Sequence, residues 1–554
     1  MLLSGAAAFL RSNMKIFGVA AGFAWAALAV TATLVAGEPG SVSPLARAGT
    51  AGPFECQADL KPENRIDELV FSRLEKLGIE PAGVCSDAVF VRRAFLDVIG
   101  TLPTVKEATD FLLNKDTNKR RHLIERLLQR DEFADYWAMR WSDLLRVKAE
   151  FPINLWPNAA QAYHHWIRTC LRENLPYDRF VREMLTASGS NFRVPQVNFY
   201  RAMQNREPAA IAQTVALTFM GARAEKWPKE QLAGMAAFFS KVAYKQTGEW
   251  KEEIILFDPD RTNAPANGAN SAAEAIFPDG TRVRLSPDRD PRELFAAWLI
   301  TEKNPWFARN IANRVWSWLL GRGIVQAPDD LRPDNPPSNP ELLAWLEREL
   351  IASNFDLKQI YRLILNSKTY QLSAIAKSPS LEAEANFAHY PLRRLEAEVL
   401  VDALNHITGT TEKYSSAIPE PFTYIPESQR SITLPDGSVT SPFLELFGRP
   451  PRDTGLEDER NNRPTAAQSL HLLNSSHIQR KLEESRNLEN LLQSKGTPRE
   501  VITGLYMMTL SRYPTEEEWK IVSAHAPGGN VKSREALMDV AWALINSAEF
   551  SYRH

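Results

Sequence analysis

The feature that most limits what this chain can fold into is a start signal for helices, written repeatedly along its length. Thr104-Val105-Lys106-Glu107 is a capping box. The threonine oxygen accepts from the backbone N–H three residues on, and the glutamate reaches back to the threonine N–H. Thr515-Glu516-Glu517-Glu518 offers the same reciprocal pair. Asp290-Pro291-Arg292-Glu293 and Thr497-Pro498-Arg499-Glu500 add a proline at the first helical position. There its missing N–H costs nothing and its fixed φ is already helical. Ser338-Asn339-Pro340-Glu341 opens a further helix through Leu342, Leu343, Trp345 and Leu346, with either Ser338 or Asn339 as its cap. From Ile66, apolar residues recur at helical spacing through Leu69, Val70, Leu74 and Leu77. One kind of start signal repeated this often predicts a mainly α fold.

A chain of 554 residues exceeds a single core, and one stretch interrupts the helical pattern. Glu252–Phe257 is short and apolar, and Ala275-Ile276-Phe277 and Arg282–Leu285 flank the turn signal Pro278-Asp279-Gly280-Thr281. Asn263–Ala272, between them, is small and polar and reads as a loop. The expected organisation is two helical domains, 61–245 and 288–554, joined by a small β insert at 246–287. Residues 412–441 are rich in Pro, Ser and Thr, lack helical periodicity, and read as a surface lid or binding loop.

The N-terminus predicts export. Arg11 and Lys15 precede an apolar run from Ile16 to Ala36 that exits through Val35-Ala36-Gly37, so 1–37 reads as a signal peptide, with Met14 as an alternative start. The run is also long enough to remain as a membrane anchor. No later segment matches it, so the rest is expected to be soluble and periplasmic or at the cell surface. Residues 38–60, rich in Gly, Ala, Pro and Ser, read as a linker. In an oxidising compartment Cys56 and Cys85 are candidates for a disulfide; three unpaired thiols, with Cys170 in a helical core, is the other reading. With 65 basic against 67 acidic residues and no basic stripe, no nucleic-acid partner is expected.

Several blocks then fall in a familiar order. Val91-Arg92-Arg93-Ala94-Phe95-Leu96-Asp97, Gly100-Thr101-Leu102-Pro103-Thr104, Trp137-Ala138-Met139-Arg140-Trp141 and Leu175–Val181 resemble the planctomycete-type cytochrome-like domain of unknown function. Asn304–Arg309, Asn313-Arg314-Val315-Trp316, Asp329-Asp330-Leu331-Arg332, Asn335–Ser338, Phe447-Gly448-Arg449-Pro450 and Trp542–Ser547 resemble the uncharacterised domain that habitually follows it. The resemblance implies an exported protein whose relatives are often encoded beside a sulfatase-like partner, and it implies no reaction. Members commonly carry Cys-x-x-Cys-His before a Phe-Phe motif. Here Phe219–Glu225 runs into Lys226-Trp227-Pro228 and then Phe238-Phe239, with neither thiol present, so no haem is expected. Asn339 stands where the second domain often has His, and Leu456 and Asp458 stand where it often has cysteines.

The densest polar constellation is Arg449–Arg463, whose candidate binding residues are Arg449, Arg452, Asp453, Glu457, Glu459, Arg460 and Arg463. Guanidinium forks of this kind hold sulfate or carboxylate, with a carboxylate as acid or base. Equally, opposite charges at these spacings neutralise one another and fasten a loop. Asp329, Asp330 and Asp334 read as supports for the helix start that follows them, with coordination of a hard cation as the other reading. His164 and His165 point about 100° apart on a helix and cannot share a metal, and Glu396 and Asp402 are expected to pair with arginines. Phe133, Trp137 and Trp141 form a core stripe, whereas Trp316 and Trp318 diverge, which places one of them near the surface. No metal and no cofactor is expected. The functional expectation is a non-catalytic binding or scaffold protein of the cell envelope that handles a polysaccharide or a sulfatase-like protein. The alternative is a polysaccharide hydrolase working through residues 449–463. Three arginines converging on an open pocket beside a free carboxylate would favour the hydrolase; charges paired and covered would favour the scaffold.

Overall fold

The computed structural model describes residues 52–261, 274–526 and 530–554. The apolar leader, residues 38–51 of the linker and the Asn263–Ala272 segment lie outside the described residues. Among the described residues no helix is long and apolar enough to cross a membrane.

Helices carry the fold, and they begin where the start signals stand. Thr104, Thr497 and Thr515 close both halves of their capping boxes over Val105–Leu113, Pro498–Leu510 and Glu516–His525. Asp290 caps Pro291–Leu299 through the Arg292 N–H at 3.0 Å. At Pro340–Ala352 the cap is Asn339, whose side-chain oxygen accepts from the Leu342 N–H at 3.1 Å. That same amide donates to the Leu69 carbonyl, so the residue that starts this helix also anchors it to the first half.

The strands are few and short. Glu274–Ile276 and Arg282–Arg284 form an antiparallel hairpin about the Pro278–Thr281 turn, as the sequence indicates. Glu253–Phe257 pairs along its whole length with Val242–Gln246 on one side and with Gly189–Ser190 on the other. The β region therefore begins before residue 246 and takes an edge strand from the preceding helical half. The physical reason is that Glu253–Phe257 is the central strand, with Ile255 fully buried, and its backbone groups need partners on both edges.

Within the linker, Glu55–Cys56 pairs antiparallel with Val84–Cys85. The register sets Cys56 opposite Val84 and Cys85 opposite Glu55. Side chains alternate faces along a strand, so the two sulfurs project from opposite faces. The bridge considered for them is not formed: both cysteines are thiols, and the Cys56 sulfur sits 3.5 Å from the Cys85 carbonyl oxygen.

One continuous apolar core runs from Ile66 to Phe550 and draws on both halves of the chain. Trp137 packs on Tyr361 and Trp318, with ring centroids 4.6 and 5.4 Å apart, and Trp141 lies edge-on to Phe180. Trp316 and Trp318 are both buried, contrary to expectation. Their helix, Phe307–Leu320, is enclosed on nearly every side, so divergence sends Trp316 to Phe387 and Trp318 to Trp137 instead of to solvent.

The block Val91–Asp97 joins the halves. Arg92 donates to the carbonyls of Thr509 and Phe550 at 2.6 and 2.9 Å. Arg93 donates to Tyr370, Leu372 and His554 carbonyls at 2.6, 2.9 and 2.8 Å. Asp97 receives the hydroxyls of Tyr370 and Tyr390 at 2.9 and 2.7 Å and ion-pairs with Arg393 and Arg553. Arg553 lies on the short strand Tyr552–Arg553, which pairs with Arg393–Arg394. Charge-assisted hydrogen bonds of this kind contribute about 1.5–3 kcal/mol each when buried and satisfied.

Candidate functional site

The loop that follows Phe447 turns at Gly448, at φ +86°, where any Cβ would collide with the Asn461 carbonyl oxygen. The chain thereby doubles back, and residues 449–460 press inward against the helices Asp131–Leu144 and Ala397–Thr408. Arg460 divides its guanidinium between two carboxylates: Asp143 at 2.6 and 3.0 Å and Glu398 at 2.7 and 3.0 Å. Arg452 takes the other Asp143 oxygen at 2.9 Å and donates to the Val147 and Pro435 carbonyls. Arg449 lies 3.4 Å from Glu398 and donates to the carbonyls of Asp436 and Val439. Burial alone would raise the Glu398 carboxyl, but the Arg460 charge and hydrogen bonds, aided by Arg449, hold it at about 2. Burial pulls Arg449 down to about 10, and the neighbouring Arg452 adds to that.

All but one of the remaining residues of the constellation are also engaged. Glu457 accepts from Arg140 at 3.0 Å and from the Trp318 indole at 2.9 Å, and it faces Arg314 at 3.4 Å. Glu459 folds back onto the N–H groups of Asp453, Thr454 and Gly455. Asp453 takes Lys148 at 2.7 Å. Arg463 is exposed, and among the described residues no carboxylate pairs with it. The space between Arg140, Asp143, Glu457 and Arg460 is about 10 Å³, room for roughly one water. The arginines converge on carboxylates and on carbonyls of the 412–441 stretch.

These pairs extend into a buried chain of alternating charge. Asp97 meets Arg553, Arg553 meets Glu396 at 2.7 Å, Glu396 faces Arg140 at 4.0 Å, and Arg140 meets Glu457. Glu457 then faces Arg314, which meets Asp329 at 2.9 Å. The Glu396 carboxyl is driven far below the usual carboxylate range by Arg553 and Arg140 despite its burial. Asp330 and Asp334 pair with Arg332 at 2.8 and 3.1 Å. The expectation that Asp329, Asp330 and Asp334 support the helix start is thus corrected: arginines take all three, and Asn339 does the capping. Asp402 has an arginine partner, Arg430, but leans more closely on backbone N–H groups. Its oxygens accept the Ser431 and Ile432 N–H groups at 2.8 and 3.2 Å, with Arg430 at 3.7 Å, and burial lifts it to about 6.

What the charged loop fastens is the wall of a pocket. Arg449, Arg452 and Asp402 hold residues 431–439, and Asp436 accepts the Ala149 and Ser438 N–H groups at 2.8 Å each. Between this stretch and the helix Pro157–Arg172 lies a pocket of about 650 Å³. Asn158, Gln161 and His165 face it from the exposed side of that helix, with His164 deeper. His164 is driven down to about 3 by burial and then by Arg452 and Arg168, so its imidazole is neutral. Its Nε2 and the Thr423 hydroxyl, both buried at the pocket wall, have no hydrogen-bond partner among the described residues. At the rim, the Trp156 ring lies 5.3 Å from Phe422 and 6.3 Å from Trp250. Trp250, Phe422 and Tyr424 are 69, 47 and 70% exposed.

Sequence reasoning singled out the irregular 412–441 stretch and the His164-His165 pair without joining them. Their signals were a missing periodicity and an odd dipeptide, and neither carries the other's address. Asp143, Glu398, Arg140 and Arg314 went unassigned because each becomes functional only through a distant partner.

Residues 65–243 match the model of PSCyt2, a protein of unknown function (DUF1549). Residues 291–526 match that of PSD1, a protein of unknown function (DUF1553). Together the matches span about three quarters of the chain. No curated protein and no solved structure matches it.

Proposed function

From the premise that the chain belongs to the PSCyt2 and PSD1 families of unknown function, in that N- to C-terminal order, we propose that it is an exported cell-envelope protein that binds polysaccharide without cleaving it. The observation that carries this reading is where the charges go. Arg449, Arg452 and Arg460 brace a loop, and the pocket which that loop walls presents neutral polar and aromatic groups. A hydrolase working through residues 449–463 needs a carboxylate that exchanges a proton near neutral pH and room for a sugar ring. Glu398 is locked between two guanidiniums, Asp143 is held by Arg452 and Arg460, and the space beside them is water-sized. Export rests on the charged and apolar pattern of Met1–Gly37. Of the two partners expected, the exposed rings at the pocket rim favour a polysaccharide over a sulfatase-like protein.

The test is to incubate the purified chain with a panel of polysaccharides, measuring co-sedimentation and the release of reducing ends. Retention on at least one polymer with no new reducing ends is expected. Release of reducing ends would overturn the non-catalytic reading. Retention on none, with stoichiometric recovery of a sulfatase-like protein from the envelope, would replace polysaccharide by a protein partner.

A further inference from the structure

We infer that the pocket between the helix Pro157–Arg172 and residues 423–439 is a subsite for a neutral sugar unit, with Tyr424 as its stacking platform. This rests on the polysaccharide-binding reading and narrows it to a place and a charge class.

The electrostatics come first. Of the residues lining the pocket none is a lysine or arginine, and its one acid, Asp436, is turned to the backbone N–H groups of Ala149 and Ser438. A sulfated or carboxylated sugar would lose its hydration with no lysine or arginine to replace it, a cost of several kcal/mol for an unpaired ion. A neutral hydroxylated ring meets no such cost.

The polar groups present are those that hydroxyls satisfy. The His164 Nε2 and Thr423 hydroxyl are buried without partners, and each is able to exchange a hydrogen bond with an alcohol. Buried polar groups are rarely left unpaired, so these two, one on each wall of the pocket, point to a ligand that completes them. The side-chain amides of Asn158 and Gln161, exposed on the same helix, offer a donor and an acceptor each.

The rim supplies the apolar half of sugar recognition. Pyranose rings present a face of C–H groups that lies against the electron-rich face of an aromatic ring. Tyr424 lines the pocket with most of its ring exposed, and Phe422, set edge-on to Trp156, extends the apolar surface outward with Trp250 beyond it. A surface of that kind beyond the subsite suits a polymer better than a free monosaccharide. The volume, about 650 Å³, falls within the usual small-ligand range of about 300–1,000 Å³.

The experiment is titration calorimetry of the full chain with neutral gluco-, manno- and xylo-oligosaccharides and with their sulfated counterparts. It compares the unaltered protein with Tyr424→Ala and Gln161→Ala. Both side chains are exposed, so the variants fold, and unchanged thermal melts verify it. The expected result is binding of a neutral oligosaccharide that weakens at least tenfold in Tyr424→Ala and several-fold in Gln161→Ala, with the sulfated form weaker than the neutral one. Neutral binding indifferent to both substitutions, or tighter binding of the sulfated form, would overturn the subsite and leave polysaccharide binding standing elsewhere on the protein. Failure to bind any oligosaccharide, together with failure to sediment with any polymer, would remove both.

Discussion

Arg460→Met tests whether the charged loop is a brace. The substitution keeps the length of the side chain and deletes its hydrogen bonds to Asp143 and Glu398. Asp143 retains Arg452, but Glu398 is left with Arg449 alone at 3.4 Å, in a site where its side chain is 1% exposed. Breaking one partner out of a buried pair costs about 3–5 kcal/mol. A second route gives a similar figure: displacement of the Glu398 carboxyl from its ordinary 4.5 to about 2 corresponds to about 3 kcal/mol. The sign follows from the direction of the shift. A depressed carboxylate contributes stability that is fully present above the unfolded value near 4.5 and is lost as pH falls through about 2. The assay is urea denaturation of both proteins at several pH values, followed by tryptophan fluorescence, since Trp318 contacts Glu457 in the same network. The variant is expected to be about 3–5 kcal/mol less stable near pH 7, and the gap should narrow as pH drops below about 4.5. A difference under about 1 kcal/mol at pH 7, the size of a surface pair, would refute the brace.

Three further outcomes are expected. Asp402 is raised by burial, so it disfavours the folded state when ionised: its contribution is best below 3.8 and is lost as pH rises through about 6, by about 3 kcal/mol. Asp402→Asn should flatten the stability slope between those values in a denaturation series. Gly221 sits at φ +60° with space for a Cβ closed by the Asn310 side-chain oxygen at 2.5 Å and the Pro328 carbonyl oxygen at 2.9 Å. Gly221→Ala is therefore expected to lower stability by at least about 1–3 kcal/mol in a thermal melt. Cys56 and Cys85 should remain thiols, and intact mass after denaturing alkylation should show all three cysteines modified, Cys170 included.

What could be read from the sequence was what neighbouring residues decide between themselves. The capping boxes at Thr104, Thr497 and Thr515 needed no knowledge of the rest of the chain, and the turn at Pro278–Thr281 was equally local. The mutual neutralisation of the 449–463 charges was visible as composition, but half of the partners were not. Asp143 lies more than 300 positions from Arg452 and Arg460, and Arg93 is bound to a carbonyl 461 residues away. Nothing in the local pattern around Arg92, Arg93 and Asp97 separates a solvated helix face from a seam between halves. The cysteine pair failed for a smaller reason, a register in which neighbouring strands bring the backbones together and turn the sulfurs apart. The pocket belongs with the distant cases: its two walls are about 260 residues apart in sequence and acquire a common purpose only when folded.

The buried sequence of alternating charges, Asp97, Arg553, Glu396, Arg140, Glu457, Arg314 and Asp329, has an evolutionary corollary. Reversing any one member sets like beside like and strands a neighbour in the interior, so the neutral routes by which the set drifts run through compensating changes at two or more positions. Because two of the seven lie in the PSCyt2 stretch and four in the PSD1 stretch, recombination that exchanged one half for a diverged counterpart would mismatch the line. The two halves are therefore expected to be inherited and replaced together, as a single unit of selection.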